Sequence, residues 1–180
     1  MENKIRKRKV RSDKKREVRP HISTNHRLWV HRLSRILDKP EGDTGVMLVI
    51  EALTSSSCME FFQSYFRRPY QLNRTTFFPA NRQESLEVFL LIQGERDRFK
   101  MKFTQKQIAN VEEFQYALGT PYLAHAVYAL LKFALMDDDT IQTIAPHVEP
   151  GLIRRIPNLK MRADQKKRTI SNQNGWSILK

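Results

Sequence analysis

The chain has 180 residues, 40% of them hydrophobic, enough for one modest core or two small ones. Its 32 Lys and Arg against 19 Asp and Glu give a formal net charge of +13, which points to a polyanionic partner. A single cysteine excludes an internal disulfide framework, and no apolar run approaches the roughly 18 residues of a membrane span.

Residues 1–16 are expected to form a disordered basic arm. Lys7, Arg8 and Lys9 lie in its densest run, "KIRKRKVRSDKKR", which has no apolar centre of the kind a secretory leader carries. In "EVRPHI" (17–22), Val18, Pro20 and Ile22 alternate with Glu17, Arg19 and His21, which predicts a short strand with one apolar face. Ser23 is a suitable N-cap for a helix over 24–38, with Val30, Leu33 and Leu37 at helical spacing. After the turn-rich "KPEGD", Thr44 is expected to cap one long helix running from Gly45 to Phe66. A connecting insert follows at 67–97. Within it "LEVFLLI" (86–92) reads equally as a buried strand or a short helix; as a strand it would fold back on 98–103 about Gly94, leaving the cations there merely solvated.

"RFKMKF" (98–103) alternates Phe99, Met101 and Phe103 with Arg98, Lys100 and Lys102, so a strand there would present one apolar and one cationic face. Thr104 can cap a helix over 105–118, and Gly119 suits its C-terminal end. Pro121 opens a second helix, 120–136, and 137–150 is a short helical extension. From 151 to 180 the chain is a basic tail. Residues 1–20 hold ten Lys and Arg against three acids, and residues 151–180 eight against one; the 21–150 stretch is nearly neutral. The cationic excess therefore sits on two flanks.

Catalytic patterns are absent from the sequence. There is no phosphate-binding glycine loop, no nucleophile elbow around Ser55–Ser57 and no paired-cysteine motif. His21, His26 and His31 are spaced by five, which does not stack them on one helical face. No metal, no cofactor and no enzymatic activity are expected. Cys58 reads as a buried structural thiol and Trp29 as a packing residue; Trp176 stands alone in a polar tail, docking on the body or on a partner.

The order strand, helix, turn, helix occurs twice. Placing Ile22 on Phe103 puts Val18 on Phe99, Arg19 on Lys100, His21 on Lys102, Val30 on Val111, Leu33 on Phe114 and Leu37 on Leu118. A longer first turn then puts Gly42 on Gly119. This pattern resembles the ribbon-helix-helix (Arc/MetJ-type) DNA-binding proteins, well over 98–136 and more weakly over 17–66. The resemblance implies a mainly α fold with a short two-stranded antiparallel ribbon, built from two repeats as an intrachain pseudodimer or, alternatively, from two copies as a homodimer. It implies that the ribbon enters the major groove of double-stranded DNA. Arg98, Lys100, Lys102, Arg19 and His21 would then read bases. The helix starts at Thr44–Gly45 and Pro121–Tyr122 would hold phosphate, and Lys7, Arg8 and Lys9 would add general attraction. Two positions depart from the pattern: Pro20 donates no ladder hydrogen bond, and Glu17 stands where Arg98 does.

The implied role is a non-enzymatic transcriptional repressor or regulator in a bacterial cytoplasm or nucleoid. The alternatives are a plasmid partition or conjugation relaxosome adaptor, docking a second protein through the insert or the C-terminal tail, and a non-specific nucleic-acid packaging or RNA-binding protein. A helix-turn-helix beginning at "TQKQIANV" would require a break within 105–118.

Overall fold

The computed structural model describes residues 14–155. Lys7, Arg8, Lys9 and residues 156–180 with Trp176 lie outside the described residues. In chain order the elements are β1 (Arg16–Val18), β2 (His21–Ser23), α1 (Thr24–Leu37), α2 (Glu41–Thr54), α3 (Ser56–Phe62), β3 (Tyr70–Gln71), β4 (Phe77–Phe78) and α4 (Leu86–Leu90). They continue with β5 (Arg96–Arg98), β6 (Met101–Phe103), α5 (Gln105–Leu118), α6 (Leu123–Met136), α7 (Asp138–Ile144) and α8 (Pro150–Arg154). The fold is mainly α, with three short antiparallel two-stranded sheets among the described residues.

Two of those sheets share one register. β1 pairs with β6, so that Glu17 faces Lys102 and Val18 faces Met101; β2 pairs with β5, so that His21 faces Arg98 and Ile22 faces Asp97. Between them Pro20 faces Phe99, whose N–H donates to the Pro20 carbonyl at 3.0 Å. Proline has no N–H to return, so the ladder lacks one rung there and divides into two sheets. The strand expected over 98–103 thus begins at Arg96 and is interrupted at Phe99–Lys100. Its partner is the 16–23 segment. Residues 86–92 are not its partner: they form α4 and an extended exit.

The helices begin and end on local signals. The Ser23 hydroxyl accepts from the His26 N–H at 3.2 Å and caps α1. Thr104 caps α5 in a capping box: its hydroxyl accepts from the Gln107 N–H at 3.3 Å, and the Gln107 side chain accepts from the Thr104 N–H at 2.8 Å. α5 is unbroken and ends on Gly119 at φ 63°; α1 ends on Asp38 at φ 50°, also left-handed. Asp38, rather than Gly42, therefore fills the place that Gly119 fills.

The long helix expected from Gly45 to Phe66 begins earlier and is broken. α2 starts at Glu41, directly after Pro40. Ser55 ends it, and its hydroxyl accepts from the Cys58 N–H to cap α3, with a bend of 78° between the two helical directions. α6 begins at Leu123, three residues after the expected start, with Tyr122 as its N-cap.

Val18, Pro20, Ile22, Phe99, Met101 and Phe103 are buried beneath the paired strands. Each large apolar side chain so covered contributes roughly 1.5–3 kcal/mol. α2 and α6 form the centre of the core and pack on one another, flanked by α1 and α5. α6 is buried from Ala126 to Leu131, and α2 buries Leu48, Val49 and Ala52. The bend after α2 carries Phe62 into an aromatic cluster with Phe89, Phe114 and Phe133, which ties the insert to α5 and α6. The insert is also held by the Arg67 N–H, which donates to Ala117 O at 2.8 Å.

Cys58 is fully buried, and burial pushes its thiol pKa up. Trp29 packs partly buried against the core. The first residues of the basic tail are not free: α8 lies on α1 and α7, and Arg32 donates to Ile153 O at 2.8 Å. No single helix among the described residues is long and apolar enough to cross a membrane.

Candidate nucleic-acid interface

Because strand side chains alternate, burying Val18, Ile22, Phe99, Met101 and Phe103 turns their neighbours outward. Arg19, His21, Arg98, Lys100 and Lys102 are all exposed on one face of the paired strands. These five expected readers are thus brought together. Arg96, opposite Ser23, extends the same row. A strand expected to begin at Arg98 leaves Arg96 out, although basic residues recur with a period of two through 96, 98, 100 and 102.

Glu17 is on this face too, and it is engaged. Its Oε2 lies 2.8 Å from Lys100 Nζ, and its Oε1 accepts from Arg19 Nε. The Lys100 ammonium, and then the Arg19 guanidinium, hold the Glu17 carboxyl below its usual pKa. On the other side of the Arg19–Lys100 pair, Arg98 and Arg96 have no ion-pair partner among the described residues. The face is therefore predominantly cationic, with one carboxylate, and unequal at its two ends.

The two expected phosphate-facing helix starts fare differently. Thr44 and Gly45 lie inside α2 and are buried. A Cβ on Gly45 would stand 2.6 Å from the Phe99 ring and 2.9 Å from Met101 Sδ, so this glycine allows the helix to approach the underside of the strands. Neither residue is open to solvent, and neither lies at the helix start. The true start of α2 carries Glu41 and Asp43 in its first turn. Those carboxylates suit the helix dipole and repel a phosphate. Glu41 accepts from His31 at 2.8 Å and lies 3.9 Å from Arg27.

At α6, by contrast, Pro121 and Tyr122 are exposed, and the first turn holds no acidic residue. His125 there lies 3.3 Å from the Thr120 hydroxyl and meets the Tyr122 ring edge-on. Between this helix start, α4 and the end of the paired strands lies a cleft of about 510 Å³, lined by His21, Arg96, Tyr122, His125, Leu91 and Tyr128 among others.

Among the described residues no group of three or more His, Cys, Asp and Glu is arranged to hold a metal ion. Comparison with protein-family models, with curated proteins and with solved structures finds no match.

Proposed function

We propose that the chain binds double-stranded DNA in a sequence-specific manner by laying the outward face of its paired strands in the major groove. It would do so as a ribbon-helix-helix-like pseudodimer in which one chain supplies both halves. The observation that carries this reading is the register. The alignment of the two segments puts Arg19 on Lys100, and in the register of the paired strands these two residues face each other. Antiparallel strands related by a two-fold axis must cross at an equivalent pair, and here they do. The caps agree with the same offset: Ser23 corresponds to Thr104, and Asp38 to Gly119.

A two-stranded ribbon fits the major groove, where Arg and Lys match the O6 and N7 acceptors of guanine. Arg19, Lys100, Lys102, Arg98 and Arg96 are donors of that kind, with His21 beside them. Of the two helix starts expected to hold phosphate, the one at Pro121–Tyr122 is exposed and has no acidic residue in its first turn.

A transcriptional repressor or regulator is the role that best suits such a protein. A second role, as an adaptor in plasmid partition or in a conjugative relaxosome, is favoured by one observation. The insert is folded onto the body and exposes Phe77, Val88 and Leu91, apolar side chains suited to a protein partner.

Selection from a randomised duplex library at physiological salt tests the proposal. A sequence-specific reader enriches one site that survives excess competitor DNA. Equal binding to all duplexes and to RNA, with affinity that tracks salt alone, would instead identify a packaging protein.

A further inference from the structure

A half-turn about the Arg19–Lys100 pair would superpose Glu17 on Arg98 and His21 on Lys102. The backbone register is symmetric about that pair, and the outward chemistry is not. A carboxylate stands where the other half has a guanidinium, and an imidazole stands where it has an ammonium. We infer that Glu17 sets the polarity of recognition. It positions Arg19 and Lys100 at the centre of the ribbon, and the chain therefore prefers a non-palindromic DNA site, with guanine favoured beneath Arg19. This inference rests on the DNA-reading function proposed above.

The geometry supports each step. Glu17 uses one carboxylate oxygen for Arg19 Nε and the other for Lys100 Nζ at 2.8 Å. Anchored through Nε, the Arg19 guanidinium keeps both terminal NH₂ groups free. Its side chain is 56% exposed, so those groups are available to a base edge. Two parallel donors of this kind match guanine O6 and N7, and a carboxylate buttress removes much of the side-chain freedom that such a contact would otherwise have to freeze out. Lys100, 54% exposed, is held on the opposite strand by the same carboxylate. Arg98 has no buttress of this kind, and no carboxylate stands beside it on its own strand's outward face. The two half-sites consequently present different donor patterns to the groove, and a palindrome satisfies only one of them.

The same library selection tests this when run on the wild-type chain, Glu17→Ala, Glu17→Gln and the double variant Glu17→Arg/His21→Lys, with circular dichroism confirming that each is folded. The wild type should select a non-palindromic site. Glu17→Ala should lose about tenfold in discrimination at the central guanine while leaving the half read by Arg98 unchanged, and Glu17→Gln should restore part of it. The double variant, whose outward face is near two-fold in charge, should select a more palindromic site. A wild-type site as palindromic as that of the double variant overturns this inference and leaves DNA reading intact, as does unchanged central discrimination in Glu17→Ala. Absence of any enriched site for the wild type sinks the DNA-reading function itself.

Discussion

Gly42 lies against the strand: a Cβ built on it would stand 2.8 Å from the carbonyl oxygen of Lys100. The first turn of α2 and the centre of the cationic face are therefore in direct backbone contact. Gly42→Ala cannot be relieved by a side-chain rotation, because the obstacle is main chain. It should destabilise the fold by roughly 1–3 kcal/mol, as an overpacked site does, measured as a lower urea midpoint at unchanged slope. It should also weaken DNA binding by tilting the strand that carries Lys100.

The proposed base readers make the next prediction. Lys100→Ala with Lys102→Ala should reduce affinity for the selected site by on the order of 1–3 kcal/mol per lost base contact, with little effect on stability because both side chains are exposed. Affinity titrations on the selected site and on a scrambled duplex check this. If site preference persists in the double variant, the reading face has been misassigned.

Acid stability depends on His26. It is buried, its Nδ1 lies 3.1 Å from the Tyr128 hydroxyl, and burial, aided by the Lys132 charge, pushes its pKa down to about 4 from an ordinary 6.5. The folded state thus holds the neutral ring, and below pH 6.5 the unfolded chain takes up a proton that the folded chain does not. The stabilisation is complete above pH 6.5 and declines as the pH falls toward 4. By pH 5.5, before most carboxylates titrate, the loss should be about 1.4 kcal/mol. Urea denaturation at pH 7.5 and 5.5 should show this for the wild type and much less of it for His26→Gln.

Asp38 holds a left-handed backbone at φ 50° on an exposed helix end, where Gly119 serves the other segment at φ 63°. Asp38→Gly should stabilise the protein by up to about 1 kcal/mol by relieving the steric conflict at Cβ. A rise in melting temperature checks it; a fall would mean that the carboxylate makes a compensating local bond.

Both strands of the cationic face come from one chain, so a second copy is not required to bury Ile22 or Phe103. Sedimentation at micromolar concentration should give a species near the chain mass of 21.3 kDa. A stable species of about twice that mass would mean that strands are exchanged between copies.

Local signals made several elements readable from the residues alone. Ser23, Thr104 and Gly119 were recognisable as helix ends, and α5 matches its expected span of 105–118, because capping is a matter of a few adjacent atoms. The alternation of "RFKMKF" announced which side chains face out, and the pairing with 17–22 followed from aligning two weakly similar segments. What escaped reading depended on contacts distant in sequence. Two polar residues of "KPEGDTG" can serve as a helix cap, and Thr44 is the expected one, yet the helix starts just past Pro40 and buries Thr44. The break at Ser55 is capped locally, but the bend it makes turns Phe62 toward Phe114, a contact some fifty positions on. "LEVFLLI" carries no period that separates strand from helix; its fate was decided by Phe89 joining an aromatic cluster. The bias toward glycine in left-handed positions matched Gly42 to Gly119, when Asp38 occupies that conformation.

Pro20 has one more consequence. Were the 16–23 strand to pair with its own copy about Arg19, Pro20 would face Val18 twice, and both Val18 carbonyls would lack a ladder donor in a buried setting. Against the 96–103 segment the chain forgoes that bond only once, at the Phe99 carbonyl. The proline thus disfavours, by one backbone rung, the pairing of two 16–23 strands with each other relative to the pairing of 16–23 with 96–103.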